Sequence, residues 1–471
     1  MGIVADRTSA VYAAVLGVLM SRRTYVPLNP KFPAERNRVI VQLGELDTFV
    51  VNAERSEDAF HDANGLELTR LRAVWPADGP PGHGSDGPEL QVLVDPGRAV
   101  CSRDVDIEDI AYLLFTSGTT GTPKGVPITH GNACAYVDDT IGRTDLGPTD
   151  RCSQTFDLTF DLSVHDMFVT WGAGACLYVL PENALMAPAK YIKEHSLTAW
   201  FSVPSTIGFM LKLRLLKPHS FPTLRYSWFC GEALAAPSAR SWQQAAPNSV
   251  VENLYGPTEA TIAFTVYRWR GDERDEELPG GIVPIGRPMG DLETLVIDDL
   301  GSPVAQGSTG ELCLGGSQLS PGYWRDPVKT AAAFIHLAHT DKRATRWYRT
   351  GDLASEAPGG VLHFHGRIDS QVKILGHRVE LGEIEHVLRH AAETDLVAAI
   401  AWPISDGSAA GVVAFVCGNR RPIDHIKRDC EERLAPYMVP KIVRELDAFP
   451  TNANGKIDRG RLRQLLETES S

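Results

Sequence analysis

The segment that decides the fold reads Tyr112-Leu-Leu-Phe-Thr-Ser-Gly-Thr-Thr-Gly-Thr-Pro-Lys-Gly-Val126. The nearly continuous apolar run from Ile110 to Phe115 has the length of a buried strand. In the loop that follows, glycines let backbone N–H groups approach an anion closely, and hydroxyls and Lys124 add further donors. The spacing is not that of a Walker loop, because Pro123 precedes the lysine and Gly125 follows it. A Ser/Thr/Gly cluster is also typical of a solvated loop, so the segment alone leaves both interpretations open.

The composition is that of a globular chain with an acidic excess. Its 471 residues, 43% of them hydrophobic, suffice for a sizeable core and about two to four domains. A formal net charge of -13 without a basic cluster predicts no nucleic-acid partner. Eight cysteines without a C-x-x-C pair predict neither zinc nor disulfides, as for reduced thiols in the cytoplasm. The apolar run from Ala10 to Met20 is too short for a bilayer and is followed, not preceded, by arginines, so we expect no membrane association.

Strand-length apolar runs alternate with helix-length segments along most of the chain, which predicts an α/β fold. Examples of these runs are Cys176 to Leu180, Trp200 to Val203 and Tyr226 to Cys230. From Val361 onward, short strands alternate with polar helices, as in a small α+β domain. We therefore predict a large N-terminal domain of mixed or parallel sheets with flanking helices, residues 1–368, and a small mobile C-terminal α+β domain, residues 369–471.

Two further segments combine residue types suited to binding a charged small molecule. Phe156-Asp-Leu-Thr-Phe-Asp-Leu-Ser-Val-His-Asp-Met-Phe168 contains one Phe-Asp-Leu-Ser/Thr unit twice, and an aspartate or serine here could simply cap the helix that follows. Asn253-Leu-Tyr-Gly-Pro-Thr-Glu-Ala-Thr261 offers an aromatic face for a base, a hydroxyl for a phosphate and a hard oxygen ligand for Mg²⁺.

Together with Tyr348–Leu353, His365–Asp369, Gln371–Glu385 and Asn452–Arg459, these segments resemble the ordered motifs of adenylate-forming enzymes, in particular the amino acid adenylation domains of nonribosomal peptide synthetases. The resemblance covers Tyr25 to Arg459. It implies a ligase that uses ATP and Mg²⁺ to form an aminoacyl-AMP, and then transfers the amino acid to the phosphopantetheine thiol of a separate carrier protein. It also implies a segment upstream of Met1 that this sequence does not contain, so either the true start lies before Met1 or this member is shortened, and we expect no fused carrier domain.

The resemblance assigns roles to individual residues. Lys456 would be the catalytic lysine, Glu259 the metal ligand and Asp369 the hinge between the domains. The ATP-binding residues would be Thr116, Ser117, Gly118, Thr119, Thr120, Gly121, Lys124, Tyr255, Gly256, Thr258, Asp352 and Arg367. The substrate-binding residues would be Asp161, Leu162, His165, Ser202, Trp228, Cys230, Leu254, Ile262 and Ala263.

These assignments carry two expectations about specificity and mechanism. Asp161, selected by the Val-His-Asp-Met-Phe continuation, would bind the substrate's α-ammonium, and the bulk of Trp228 predicts a small side chain such as that of alanine, serine or proline. The loop from Thr116 to Gly125 would clamp the β- and γ-phosphates, whereas Lys456 would stabilise charge at the α-phosphate. The alternatives are an acyl- or aryl-CoA ligase, which has no use for Asp161, and a non-catalytic nucleotide-binding relative.

Overall fold

The structure is a computed structural model that describes residues 1–52, 70–74, 91–92, 104–118, 122–185, 187–274, 278–337, 342–369, 371–405, 408–451 and 457–470. It divides into two compact units. Unit 1 comprises Met1–Pro30, Ile40–Phe115 and Gly125–Asp369, and unit 2 comprises Lys31–Val39, Thr116–Lys124 and Ser370–Ser471. The predicted mixed α/β fold class is confirmed.

Unit 1 contains three main sheets. The first is parallel, in the order Val26–Leu28, Gly2–Val4, Thr48–Asn52, Arg70–Val74, Gln91–Val92. The second has seven strands in the order Arg287–Pro288, Thr265–Arg268, Val250–Tyr255, Tyr226–Phe229, Ala199–Ser202, Arg151–Gln154, Cys176–Val179. The first two pairings in this order are antiparallel and the other four are parallel. The third is antiparallel, in the order Glu293–Ile297, Gly310–Gly315, Arg346–Ala357, Phe334–His336, with Val361–Arg367 also paired to Arg346–Ala357.

The two ends of the segment Tyr112–Val126 belong to a separate two-stranded sheet, Ile110–Thr116 with Lys124–Thr129. The second strand leads into the helix His130–Arg143 through a capping box, in which Thr129 Oγ1 accepts from the Asn132 N–H at 3.1 Å and Asn132 Oδ1 accepts from the Thr129 N–H at 3.1 Å. The cap fixes where this helix begins. Its inner face then carries Tyr136, which is fully buried.

The remaining helices lie around these sheets. In unit 1 they are Ser9–Met20, Leu162–Val164, Thr170–Gly172, Glu182–Leu185, Pro188–Glu194, Ser205–Lys212, Ala236–Ala245 and Pro327–Ala333, with a π-helix at His165–Val169 and 3₁₀ turns at Thr258–Ala260 and Pro279–Gly281. The helix Ala34–Leu43 begins in unit 2 and ends in unit 1. No helix in the described part of the chain is long and apolar enough to cross a membrane.

Unit 2 has two small sheets and three further helices. One sheet has the order His377–Glu380, Gln371–Ile374, Ser408–Ala409, Ile404–Ser405, and the other has the order Val397–Ala401, Val412–Cys417, Ile442–Leu446. The helices are Leu381–Ala392, Ile423–Arg433 and Arg459–Ser470. Apolar side chains of the first two helices pack on the second sheet in one core, as expected of an α+β unit.

Candidate active site

The predicted phosphate loop is described only in part. Thr119, Thr120 and Gly121 lie outside the described residues, as does Lys456. A side chain at Gly118 would place its Cβ 2.1 Å from the Thr122 carbonyl oxygen, so only glycine fits this turn. Ser117 is buried, and its Oγ donates to the Arg378 carbonyl at 2.8 Å and accepts from the Glu380 N–H at 3.2 Å, all within unit 2. The start of the loop is therefore held by the backbone of the strand His377–Glu380.

The predicted ribose-binding residues of unit 1 converge on one carboxylate. The Tyr255 hydroxyl donates to Asp352 Oδ2 at 2.5 Å, and Arg367 forms an ion pair with Asp352 Oδ1. Burial, followed by the charge of Asp352, raises the pKa of Tyr255 well above its usual range, so this hydroxyl keeps its proton. Arg367 also donates from Nε and Nη2 to Asp369 at 2.7 and 2.8 Å. The structure thus links the predicted hinge residue to the predicted nucleotide site.

The predicted metal ligand lies in the turn that follows Tyr255. Glu259 is fully buried, and its Oε1 accepts a hydrogen bond from the Tyr323 hydroxyl at 2.8 Å. Gly256 lies so close to the backbone at Ala263, ahead of the next strand, that a Cβ there would stand 2.6 Å from the Ala263 Cα. A single oriented carboxylate fits Mg²⁺, which is bound through one or two carboxylates together with substrate phosphates. The described residues contain no cluster of three or more metal-ligating side chains.

The predicted ammonium-binding residue lies at the start of a short helix. Asp161 is 4% exposed and occupies the N-cap position of Leu162–Val164, but its side chain accepts no capping hydrogen bond from the described backbone of that helix. Its charge contributes, after burial, to raising the pKa values of Tyr112 and Tyr136. The capping interpretation therefore gains no support, and the carboxylate is buried, where a charge pair is strong.

The apolar members of the predicted substrate site come together. Six of them belong to one buried cluster in unit 1, which comprises among others Leu162, Trp228, Cys230, Leu254, Ile262 and Ala263. Ser202 is the member that points elsewhere, because its Oγ accepts from the Trp200 indole N–H at 3.0 Å and Trp200 belongs to a separate buried cluster. Its neighbour Phe201, which the sequence analysis missed, belongs to the first cluster.

His165 closes one side of this cluster. Its ring centroid lies 4.3 Å from that of Phe201 and 5.0 Å from that of Trp228, and its Nδ1 is hydrogen-bonded to the Tyr136 hydroxyl at 2.7 Å. Burial, followed by the charge of Arg143, lowers the pKa of His165 to about 3, so the imidazole is neutral. A cavity of about 10 Å³ is lined by these rings and their neighbours, enough for about one water molecule.

A hydrogen bond and a ring stack fix the orientation of Trp228. Its indole N–H donates to Glu252 Oε2 at 3.1 Å, and its ring stacks on Tyr226 with centroids 5.3 Å apart and planes within 6°. The indole is only 2% exposed. Neither Glu252 nor Tyr136 could be singled out from the sequence, because no local motif marks them. Each is connected to the site only by a hydrogen bond that the fold brings about, Glu252 to Trp228 and Tyr136 to His165.

The fold and these sites define the class of adenylate-forming ligases, and comparison with known proteins gives the family. Residues 1–324 match the family model described as AMP-binding enzyme. The chain belongs to this family. It is 33% identical over 97% of its length to an L-proline–[L-prolyl-carrier protein] ligase of Streptomyces coelicolor, of which it covers 85%. It is 31% identical over 98% of its length to tyrocidine synthase 2 of Brevibacillus parabrevis, of which it covers 12%.

Among solved structures, the chain is similar to the adenylation domain AlmE of Vibrio cholerae in complex with glycyl-adenosine-5'-phosphate. The TM-score is 0.87 and the identity 35%, over 99% of this chain and 88% of that one. The resemblance to amino acid adenylation enzymes is thereby confirmed, and the chain is a ligase of that kind. The roles of individual site residues stay predictions.

Proposed function

We propose that the chain activates a small amino acid with MgATP and loads it onto a carrier protein. In the first half-reaction, a carboxylate oxygen of the amino acid attacks the α-phosphorus of ATP and pyrophosphate leaves. In the second, the phosphopantetheine thiol of the carrier attacks the acyl carbonyl and AMP leaves. The named carrier-protein ligase among the relatives supports the second step.

The single observation that carries the substrate size is the packing of three aromatic rings at the predicted pocket. The His165 ring packs against those of Phe201 and Trp228, with centroids 4.3 and 5.0 Å apart. A carboxylate only 4% exposed would pair with the substrate's ammonium, and rings in this position leave room for a few heavy atoms of side chain at most. Glycine, alanine, serine and proline fit this description, and proteins similar to this one are named for proline and contain glycyl-AMP.

The nucleotide would lie between the Tyr255 turn and Asp352. Asp352 would accept hydrogen bonds from the ribose hydroxyls in place of, or beside, those from Tyr255 and Arg367. Glu259 would hold Mg²⁺, which supplies charge neutralisation for the phosphates. Lys456 would stabilise the charge that develops at the α-phosphate, and Lys124 would hold the phosphates that leave.

Pyrophosphate exchange with a panel of single amino acids tests the first half-reaction. We expect exchange above background with one or more of glycine, alanine, serine and proline, and little with phenylalanine or tryptophan. A preference for a large aromatic substrate would refute the pocket argument. Intact-mass measurement of candidate carrier proteins after incubation with ATP and the preferred amino acid then tests the transfer.

A further inference from the structure

The turn that carries the metal ligand ends in a strained backbone. Thr261 and Ile262 have φ angles of 60° and 69°. Neither is glycine, both are β-branched, and both are fully buried. A β-branched residue in the left-handed region is unfavourable and persists only where its surroundings determine the conformation. Because Ile262 and Ala263 are the predicted pocket wall, the strain lies directly between that wall and Glu259.

Gln318 supplies the hydrogen bonds that hold this strained backbone. The orientation of its amide follows from its partners: Nε2 donates to the Ala263 carbonyl at 3.1 Å and to the Thr261 carbonyl at 3.2 Å. In addition, Thr261 Oγ1 donates to the backbone carbonyl of Gln318 at 2.6 Å. Gln318 is 1% exposed, so water cannot replace these bonds.

The residues that follow Gln318 hold the turn at Glu259. The Ser320 N–H donates to the Glu259 carbonyl at 2.9 Å, and the Tyr323 hydroxyl donates to the Glu259 carboxylate. Residues 318 to 323 therefore contact both the metal ligand and the pocket wall.

We infer that Gln318 is a positioning residue for the amino acid site, acting through the strained Thr261–Ile262 backbone. This inference rests on the proposed function, because it takes the Thr261–Ile262 backbone to be part of the wall of the amino acid pocket. Without the two N–H donors of Gln318, the carbonyls of Thr261 and Ala263 would be buried without partners, and the turn would relax toward an unstrained conformation. The wall would then move while the nucleotide contacts of Tyr255 and Asp352 stay in place.

Gln318→Leu tests this inference, with Gln306→Leu as the matched control. Gln306 is an exposed glutamine in the same unit that also donates to a backbone carbonyl, Ala357 O at 3.3 Å. In pyrophosphate exchange, Gln318→Leu is expected to raise the KM for the amino acid about tenfold or more, with the KM for ATP changed about twofold at most. Gln306→Leu is expected to change neither.

A second substitution separates positioning from general loss of structure. Asparagine adopts the left-handed conformation several times more readily than threonine, so adding Thr261→Asn to Gln318→Leu is expected to recover part of the amino acid KM. Equal changes in the KM values for amino acid and ATP, or an unchanged amino acid KM, would overturn the inference.

Hydrogen exchange provides a readout that needs no activity. The peptide spanning residues 256–264, whose Phe264 N–H donates to the Tyr255 carbonyl at 2.7 Å, is expected to exchange faster in Gln318→Leu than in the wild type or Gln306→Leu. Unchanged exchange in this peptide would also overturn the inference. If the wild type activates no amino acid, the proposed function fails, and this comparison still decides whether Gln318 holds the turn.

Discussion

The duplicated Phe-Asp-Leu-Ser/Thr unit provides a matched pair of aspartates, and we predict that Asp161→Asn and Asp157→Asn have opposite consequences. Asp157 accepts hydrogen bonds from the Thr159 N–H and hydroxyl at 2.9 and 2.6 Å, and from Asn29 Nδ2 at 2.9 Å. Its role is to hold the turn. Asp161, four residues later and 4% exposed, lies beside the predicted pocket.

The magnitude follows from the burial of Asp161. Removing one partner of a buried charge pair costs about 3–5 kcal/mol, which corresponds to a factor of about 10²–10³ or more. Asp161→Asn keeps the shape of the side chain but leaves the substrate's ammonium without a counter-charge, so we expect a loss of this size in kcat/KM for the amino acid. Asp157→Asn weakens local hydrogen bonds worth about 1 kcal/mol each, and should lower stability without a comparable loss of activity.

Pyrophosphate exchange at varied amino acid concentration, with the melting temperature of each variant measured alongside, distinguishes the two effects. Asp161→Asn should lose activity with little change in melting temperature, and its KM for ATP should stay close to the wild-type value. Full activity of Asp161→Asn would refute its assignment as the ammonium ligand. Loss of activity in Asp157→Asn alone would instead show that the other copy of the unit binds the substrate.

Three further predictions concern the same site. His165 is buried and neutral, with a pKa of about 3 in the folded protein against 6.5 for an ordinary histidine. Its contribution to stability is present above about pH 6.5 and is lost as the pH falls toward 3, because the unfolded chain takes up a proton first. Between pH 7 and 5 the wild type should therefore lose about 2 kcal/mol more unfolding free energy than His165→Gln in denaturant titrations. Gly256→Ala should abolish exchange activity because its Cβ meets backbone, whereas Gly142→Ala, in a helix with open space around it, should raise the unfolding free energy by about 0.5–1 kcal/mol. Tyr323→Phe removes the hydroxyl that orients Glu259 and should raise the Mg²⁺ concentration for half-maximal exchange about threefold to tenfold, with unchanged dependence indicating a metal bound elsewhere.

Much of the fold could be predicted because its signals are local. The three strand-length runs at Cys176, Trp200 and Tyr226 become the strands Cys176–Val179, Ala199–Ser202 and Tyr226–Phe229, each within one residue of the predicted bounds, since each is a short apolar run closed by polar residues or a turn. The grouping of Lys31–Val39 and Thr116–Lys124 with the C-terminal residues in unit 2 had no such signal. It depends on contacts between residues far apart in the chain, among them the ion pair of Arg36 with Glu383 at 2.7 Å.

In the site, the sequence indicated residues whose types suit the reaction and missed those that act by holding them. Tyr136, Phe201 and Gln318 have no distinctive sequence context, and their importance comes from the neighbours the fold brings to them. The strain at Thr261 and Ile262 is equally hidden, because a positive φ is anticipated from sequence chiefly where glycine or asparagine occurs. Motif spacing therefore located the turn but not the conformation that gives it its shape.

The helix that carries the predicted pocket residues Asp161, Leu162 and His165 has a second hidden feature of this kind. His165 and Asp166 are consecutive and both buried, and they face different parts of the core: His165 meets the Trp228 ring, whereas Asp166 Oδ2 accepts from the Thr155 N–H at 3.0 Å. They begin a π-helical turn, His165–Val169, which carries one more residue than an α-helical turn. The extra residue changes the direction of the side chains beyond it relative to a regular α-helix. If His165 lines the amino acid pocket as proposed, its neutral imidazole is held between the Tyr136 hydroxyl and the Phe201 and Trp228 rings, and this turn of the backbone sets the direction from which it faces the substrate.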